Sequence, residues 1–324
     1  MFVVGTDLFI VSPLLPAIAA AFGRSDATAG FSVTVFSLTY LVSAPLFGQL
    51  ADRVGRRRTL LGCLFGFGIA NVFTALAPNF GLLLAISVGA PAGTLIADHW
   101  GWHSPFLVLA LLSVALIAAN HKAWPNDSGA SEAVLDAGSG DNYAEMVWRL
   151  LPTVFWATAI YSVYTYLGAW LTEAGLTASG IARAISFYGV GALIGTLLGG
   201  QLADRLGARK TMLISLAGLA AGLAFLAARG GTGWRADISL LVLSIFAQFF
   251  FPAQQASLGR WFPQRRAFLL ALNNSALFLG ISLGSVIGGE AMTLSGFALD
   301  AAIGAAIAGV ALVLVAASAR WQRD

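Results

Sequence analysis

Charged residues are scarce in this sequence. Only 10% of its 324 residues are Asp, Glu, Lys or Arg, whereas 58% are hydrophobic. A water-soluble domain carries about 25% charged residues, so this chain cannot cover a surface that faces water. Its single cysteine, Cys63, excludes an intramolecular disulfide and a metal site built from cysteines. The long uncharged runs, at about 20 residues per membrane crossing, predict an all-α, polytopic membrane protein.

Eleven charge-poor stretches are candidate membrane helices. They begin near Met1, Ala29, Thr59, Phe80, Pro105, Leu150, Ala184, Thr211, Ile238, Ala267 and Phe297. The only long polar segment, residues 121–148, has the Ser, Gly and acidic composition of a flexible loop between bundles. We therefore expect an N-terminal bundle in residues 1–120 and a C-terminal bundle in residues 149–324. Together they would contain about 10 or 11 transmembrane helices.

An internal repeat supports this division into two bundles. GQLADRVGRRRTLL begins at Gly48 and GQLADRLGARKTML begins at Gly200, with ten of the fourteen positions identical. Similarity at this level, 152 residues apart, predicts that the two halves are related copies, as in transporters built from parallel repeats. Both copies are rich in Arg and Lys, so both should face the cytoplasm, which requires an even number of crossings between them.

The candidate stretches between the two copies number five, which conflicts with this requirement. The stretch from Phe80 to Ala97 is the weakest candidate, because it contains the helix-weakening sequence GAPAG. If it makes no net crossing, 14 of the 18 Lys and Arg residues lie on the cytoplasmic side, and if it crosses once, only 7 do. The charge distribution favours no net crossing, with this stretch as a re-entrant or incompletely inserted segment.

At the repeated motif the sequence resembles the major facilitator superfamily, whose loop between helices 2 and 3 has the pattern G-x-L-x-D-R-x-G-R-[KR]. The first copy matches that pattern at Gly48, Leu50, Asp52, Arg53, Gly55, Arg56 and Arg57. The second copy matches the equivalent loop between helices 8 and 9 at Gly200, Leu202, Asp204, Arg205, Gly207 and Arg209. The segment GTDLFIVSPLLPAIA, from Gly5, is similar to the first helix of the drug and sugar efflux branch, which includes arabinose efflux permease-like proteins.

The first half departs from the family pattern. Family members have twelve helices, the first of them preceded by a short cytoplasmic segment, whereas Met1 already lies in apolar sequence. Helix 4, with its membrane arginine, is expected after Asn79, but the chain passes directly to Gly89, Pro91 and Gly93, which resemble the antiporter motif late in helix 5. We infer that most of helix 4 and the start of helix 5 are missing, a gap of about 50 residues.

The resemblance implies a secondary transporter, a multi-pass protein of the bacterial inner membrane that acts as a monomer. It would be an antiporter that exports a small organic compound, a drug or a sugar, in exchange for protons. The repeated motif would act as a latch during alternating access, although its arginines could instead serve only to set the topology. The alternative is a transport-inactive remnant that still inserts in the membrane, because the missing region supplies the family's proton-linked arginine.

Other classes of function find little support in the sequence. Neither a nucleotide-binding motif nor H-E-x-x-H is present, so we expect no enzyme and no cofactor. The three histidines have no acidic or cysteine partners at ligand spacing, so we expect no metal site. The expected partners are the substrate, protons and the lipid bilayer, and not nucleic acid, because the basic residues are scattered between apolar runs.

Several polar residues in the apolar stretches are candidates for substrate or proton binding. Asp7 either binds a proton or a cationic substrate, or lies solvated at the membrane interface. Tyr161 and Tyr164 share a helical face that either stacks on an organic substrate or packs against other helices. The amides of Gln248, Gln255, Asn273 and Asn274 either contact substrate or form interhelical hydrogen bonds, since lipid cannot satisfy them.

Residues near the outer ends of the stretches are expected to lie at the membrane interface. Trp170 is the aromatic residue that best fits an interfacial belt. Glu173, Glu290 and Asp300 are expected to be solvated there, because each lies close to the end of an apolar stretch.

Overall fold

The computed structural model describes residue 12, residues 14–54, short pieces between residues 61 and 117, and residues 143–229, 233–261 and 266–318. This part of the chain is helical and contains no strand, as the all-α prediction requires. Residues 14–21 are helical and lead into the first long helix. The helices with described bounds are α1 (Asp26–Val54), α2 (Tyr143–Glu173), α3 (Ala178–Leu206), α4 (Ala208–Arg229), α5 (Trp234–Gln248), α6 (Phe250–Trp261), α7 (Arg266–Ser295) and α8 (Phe297–Ala317).

Six helical segments in the described part of the chain are long and apolar enough to cross a membrane. They are Ala144–Glu173, Ala178–Leu206, Ala208–Arg229, Trp234–Trp261, Phe268–Ser295 and Phe297–Ala317. These segments correspond to the last six predicted stretches, so this part of the membrane prediction is confirmed. The predicted stretch from Phe80 lies outside the described residues, and those from Met1, Thr59 and Pro105 are described only in pieces.

The helix α2 begins earlier than the sequence predicts. Its first residue, Tyr143, lies inside the predicted polar loop, residues 121–148. Glu145 and Arg149 are four residues apart and form an ion pair at 2.7 Å, which favours helix in this polar stretch. The first turn also carries Glu145 where the helix dipole favours a negative charge.

Two junctions show how local sequence ends one helix and starts the next. Gly207 separates α3 from α4 with φ 88°, a conformation that favours glycine. The span Trp234–Trp261 is broken at Phe249, whose amide bonds the carbonyl of Phe246 at 3.3 Å. Pro252 explains the break, because proline has no N–H to bond the carbonyl of Gln248 and its ring crowds that carbonyl.

The helix α1 packs against α7 in the antiparallel sense. The Ser285 hydroxyl donates to the Gly30 carbonyl at 2.8 Å, and the Ser275 hydroxyl donates to the Leu41 carbonyl at 3.5 Å. Gly30 precedes Leu41 whereas Ser285 follows Ser275, so the two helices run in opposite directions. This packing joins the first half of the chain to the second.

The helix α2 lies between α7 and α8 and runs parallel to α7. The glycines Gly280 and Gly288 of α7 lie against the backbone of Val154 and Ser162 respectively, so the contacts follow the same order along both helices. Because α1 is antiparallel to α7, it is also antiparallel to α2. A short turn, residues 174–177, then reverses the chain into α3.

Consequently α1 and α3 run in the same direction. The two copies of the repeated motif, which begin at Gly48 and Gly200 near the C-terminal ends of these helices, lie at the same end of the bundle. Val54 and Tyr143, which flank residues 55–142, also lie at this end. This is the arrangement that an even number of crossings between the copies requires.

Candidate gating and substrate sites

The second copy of the motif connects α4 to α8. The Arg209 guanidinium donates to the carbonyl of Ala316 at 3.0 Å and to that of Val315 at 3.4 Å. These carbonyls belong to the last turn of α8, where a cation satisfies free acceptors and opposes the helix dipole. Asp204 and Arg205 are exposed on the last turn of α3. Within this copy, Arg209 therefore contacts the end of a neighbouring helix, whereas Asp204 and Arg205 lie on the surface.

Close packing near the second copy involves the glycine that precedes it. A Cβ on Gly199 would lie 2.7 Å from the Cα of Phe249, so α3 and the α5–α6 junction touch through their backbones here. Gly200, which the motif contains, faces open space. Gly207 provides the turn that the motif predicts, since it alone of these three has a positive φ.

The first copy is described only in part. Gly48, Leu50, Asp52 and Arg53 lie in the last two turns of α1, where the structure describes the backbone. Gly55, Arg56 and Arg57 lie outside the described residues, as do Asp7 and the antiporter-like residues Gly89, Pro91 and Gly93. The latch interpretation of the first copy therefore stays a prediction.

The surface between α1 and α7, which we call the seam, combines aromatic contacts with backbone hydrogen bonds. The rings of Tyr40 and Phe278 stack with centroids 3.9 Å apart, and Phe36 meets Phe278 edge-on at 6.1 Å. Towards the opposite end from the motifs, the Tyr166 hydroxyl of α2 donates to the Ser285 carbonyl at 2.8 Å. Ser285 thus links the seam to α2 and to Gly30 at once.

Buried polar groups without partners lie on and beside the seam. Thr34 and Ser37 fall on the same face of α1 as Gly30 and Leu41, by spacings of three and four. The hydroxyls of Thr34 and Ser37 are buried and have no hydrogen-bond partner. Unpaired polar atoms in a protein interior are costly and rare, so such groups are candidates for contact with a bound ligand.

Asn273 of α7 also has a buried polar atom without a partner. Its Oδ1 accepts a hydrogen bond from the Thr153 hydroxyl of α2 at 2.7 Å, and its Nδ2 is buried without a partner. One half of the amide therefore makes the interhelical bond that the sequence allowed, and the other half is left free for a second acceptor. Asn274 is half-buried beside it.

The two tyrosines predicted to face a substrate lie inside the C-terminal bundle. Tyr161 and Tyr164 are buried, with ring centroids 6.1 Å apart, and Tyr164 also contacts Tyr188 of α3 at 4.7 Å. Tyr164 and Tyr188 line a small cavity whose other walls are aliphatic residues of α2, α4 and α5. The tyrosines thus form an aromatic cluster in the core, and their contact with a substrate stays a prediction.

The amide that forms a strong interhelical bond in α6 is Gln254, which the sequence did not single out. Its Nε2 donates to the carbonyl of Arg149 at 2.7 Å, and its side chain is buried. Gln255, the predicted site residue next to it, is half-buried, as is Gln248 before the break at Phe249. The break changes which residues of this span face the bundle, and hydropathy alone does not show it.

Charged contacts fix both ends of the C-terminal bundle. At the motif end, the Arg149 guanidinium lies 3.7 Å from the Trp261 ring centroid and pairs with Glu145. At the opposite end, Arg183 of α3 pairs with the buried Asp237 of α5 at 2.8 Å. The Arg149–Trp261 contact therefore joins α2 to α6, and the Arg183–Asp237 pair joins α3 to α5.

Arg183→Met is expected to lower the free energy of unfolding by about 1–2 kcal/mol, because it leaves the Asp237 carboxylate buried without a cation. The loss is moderate, since Arg183 is 53% exposed and water already screens the pair. Asp237→Asn should cost less, because it removes the buried charge and leaves Arg183, which is exposed and solvated by water. Thermal unfolding of both variants in one detergent measures the order, and equal losses would contradict it.

The outer ends contain one clear departure from expectation. Glu173 and Glu290 are exposed, as expected for solvated interface residues. The same expectation for Asp300 is wrong, because this residue is 0% exposed. It lies in the first turn of α8, covered by α2, and neither carboxylate oxygen has a hydrogen-bond partner. Its position in the sequence shows only that a helix begins nearby.

Comparisons with known proteins agree with this architecture. The chain is 28% identical to the inner membrane transport protein YdhP of Escherichia coli over all of its own length and 95% of that protein. It is 26% identical to an MFS-type transporter, YceJ, of Bacillus subtilis, over 89% of this chain and 86% of the relative. A chloramphenicol resistance protein of Streptomyces lividans is 25% identical over 66% of each chain.

The alignment with YdhP also bears on the missing region. It runs over 371 positions, of which this chain, aligned throughout, fills 324, so about 47 positions have no counterpart here. That number is close to the gap inferred from the sequence. The family model of the Major Facilitator Superfamily matches residues 1–88 and 150–323. Because these two segments make up most of the sequence, the chain belongs to the Major Facilitator Superfamily of membrane transporters.

Proposed function

We propose that this transporter exports a small organic compound, a drug or a sugar, across the bacterial inner membrane in exchange for protons. The observation that carries the proposal is the set of buried, unpaired polar groups in and beside the seam between the two halves. In a transporter built from two bundles, the substrate binds between the repeats near the middle of the membrane. The name of the Streptomyces relative supports a drug as the exported compound.

The chemistry of these groups suits a neutral organic molecule. Ser37 and Thr34 offer hydroxyls that donate or accept, and Asn273 offers an amide N–H. Tyr40 and Phe278 add aromatic surface in the same seam. A compound that carries several hydroxyl or carbonyl groups on an apolar frame would satisfy these atoms without a charge partner.

The proposal is tested with purified protein in liposomes under an imposed proton gradient. We expect chloramphenicol, the first compound to test, to accumulate when the gradient is present and not when an ionophore collapses it. Asn273→Ala should reduce the rate roughly tenfold, because it removes a buried hydrogen bond worth about 1.4 kcal/mol. Glu290→Gln, an exposed change, is the matched control. Failure of every drug and sugar tested to respond to the gradient would refute the proposal.

A transport-inactive remnant is the second candidate. The family model leaves residues 89–149 unmatched, and this is where the sequence lacks the helix 4 arginine. If the remnant interpretation is right, a chimera that restores the corresponding stretch of YdhP will gain transport that the natural chain lacks. Robust transport by the natural chain would exclude this candidate. If neither the natural chain nor the chimera transports, the experiment supports neither the exporter proposal nor the remnant interpretation.

A further inference from the structure

Asp300 is a buried carboxylate without a compensating charge. The ion pairs of the described residues are Arg149–Glu145 and Arg183–Asp237, and neither includes it. Its oxygens accept no hydrogen bond in the described structure. An ionisable residue buried in a membrane helix is expensive and is by default a functional site. Such a carboxylate is stable when a cation, the proton included, accompanies it.

Its surroundings contain further acids and no bound base. The Ser162 hydroxyl of α2 lies beside Asp300 but donates to the Ala159 carbonyl, at 3.3 Å. Tyr166 of α2 lies near enough to Asp300 to act on it electrostatically, and the same tyrosine also faces Asp26 of α1 and Glu290 of α7. All of these groups are acids, so none of them compensates the charge of Asp300.

The neighbouring helix α4 adds no positive charge to the site. Leu223 is the α4 side chain near the Asp300 turn, because it lies 3.2 Å from the position of a Cβ on Gly304. Arg229, at the end of α4, is exposed and forms no ion pair with Asp300. No described residue of α4 therefore forms an ion pair with Asp300.

Opposing effects act on the Asp300 carboxylate. It lies in the first turn of α8, where the helix dipole favours a negative charge. Burial away from water without a donor favours a neutral group. A group under both influences can bind a proton and release it again when its surroundings change.

A stacked aromatic pair lies one turn from Asp300, at the end of the helices opposite the motifs. Phe297, one turn before Asp300, stacks on Trp170 of α2 with ring centroids 4.1 Å apart and planes 7° apart. Phe297 is buried, so the pair closes the space between α2 and α8 at the end opposite the motifs. Trp170 is therefore a packing residue here as well as a residue near the interface. Separation of the two rings would open Asp300 to the outer solution.

We propose that Asp300 is the residue at which this protein takes up a proton from the outer side, with the Trp170–Phe297 pair as its cover. The inference rests on the proposed function, because it assigns the proton-carrying group of that exchange. No other described carboxylate is both fully buried and without any hydrogen bond. Asp237, the other buried acid in the described residues, is held by Arg183.

A test that needs no substrate uses a hydrophobic carbodiimide, which reacts with protonated carboxylic acids in apolar surroundings. The purified full-length protein is treated over a range of pH and the modified peptides are identified by mass spectrometry. We expect modification at Asp300, increasing as the pH is lowered, and little at the exposed Glu290. Absence of modification at Asp300 at every pH would overturn the proposal. Protection by sodium ions at constant pH would also overturn it, in favour of a sodium site.

Transport by Asp300→Asn separates this inference from the proposed function. The variant should lose accumulation of chloramphenicol driven by the proton gradient but keep exchange of chloramphenicol without a gradient. Glu290→Gln should keep both activities. If the natural protein shows gradient-driven transport and Asp300→Asn does too, the proposed function stands and the inference fails. If neither protein transports but Asp300 is modified as expected, the proton site stands and the proposed function fails.

Discussion

Gly195→Leu is expected to destabilise the packing of α3 on α5 by about 3 kcal/mol, because a large side chain is forced into a backbone contact. Gly191, Gly195 and Gly199 form a stripe four residues apart along α3, and each lies against the α5–α6 region. A Cβ on Gly195 would meet the carbonyl oxygen of Ile245 and lie 3.0 Å from the Cβ of Gln248. A backbone carbonyl in a helix cannot rotate away, so the two helices must separate.

The chain offers a matched control in the same helix. Gly189 has nothing within 4 Å of its Cβ position, so Gly189→Leu removes a glycine without a clash. Gly189→Leu should be neutral or slightly stabilising, since leucine favours helix by about 0.8 kcal/mol over glycine. Gly195→Leu should lower the melting temperature by roughly 10 °C in the same detergent. Equal melting temperatures for the two variants would show that α3 and α5 do not pack as described.

The helices of the C-terminal half could be predicted from sequence because hydropathy depends only on the residues of each run and not on its neighbours in the fold. A run that lacks charge must avoid water whatever its neighbours are, so the six segments appear where the uncharged runs lie. The boundaries shifted by a few residues at Tyr143, since a local ion pair, and not hydropathy, extends α2. Positive charge in the two motifs likewise predicted their common side, and the helix directions agree with it.

The face that a side chain presents depends on contacts between helices, and sequence shows this less well. Gln254 and Gln255 are adjacent and chemically identical, yet Gln254 bonds the Arg149 carbonyl and is buried. Gly199 packs on Phe249 while Gly200 does not, although the motif contains Gly200. Adjacent residues point about 100° apart around a helix, so only one of each pair can face the neighbouring helix. Which of the two does so depends on where that neighbouring helix lies.

Asp300 illustrates the same limit for charge. The rule that an acid near the end of an apolar stretch is solvated holds for Glu173 and Glu290. It fails for Asp300 because α2 extends past the start of α8 and its Trp170 covers Phe297. The overlap of two helix ends therefore determines whether this carboxylate meets water, and no local signal around residue 300 carries that information.

The break between α5 and α6 is stabilised from outside the span that contains it. Backbone carbonyl groups beside the break must be satisfied in the protein interior. The Ser215 hydroxyl of α4 donates to the Phe246 carbonyl at 2.6 Å. The Trp156 indole of α2 donates to the Ala247 carbonyl at 2.8 Å. Two neighbouring helices thus supply side-chain donors to the carbonyls beside the break.

Trp156→Ala is expected to cost about 3–5 kcal/mol, which is typical of a large aromatic residue removed from a core. Trp156 is 3% exposed and stacks on Phe250, with ring centroids 5.1 Å apart, immediately after the break. Its removal leaves both a cavity and the Ala247 carbonyl without its main donor. Trp148, on the same helix and 44% exposed, supplies the control, since Trp148→Ala should change stability by less than about 0.5 kcal/mol.

Trp156→Phe separates the two roles of the indole. Phenylalanine keeps most of the stacking surface but has no N–H, so the loss should fall to about 1–2 kcal/mol, the cost of an unpaired buried carbonyl. The Ser215 hydroxyl, 3.4 Å from the Ala247 carbonyl, can recover part of that loss by turning towards it. Trp156→Phe combined with Ser215→Ala should therefore destabilise by more than the sum of the single changes, because neither side-chain donor to the Ala247 carbonyl then remains. Thermal unfolding of the four proteins in one detergent measures this coupling, and strictly additive losses would mean that water or lipid headgroups, and not α2 and α4, satisfy the broken helix.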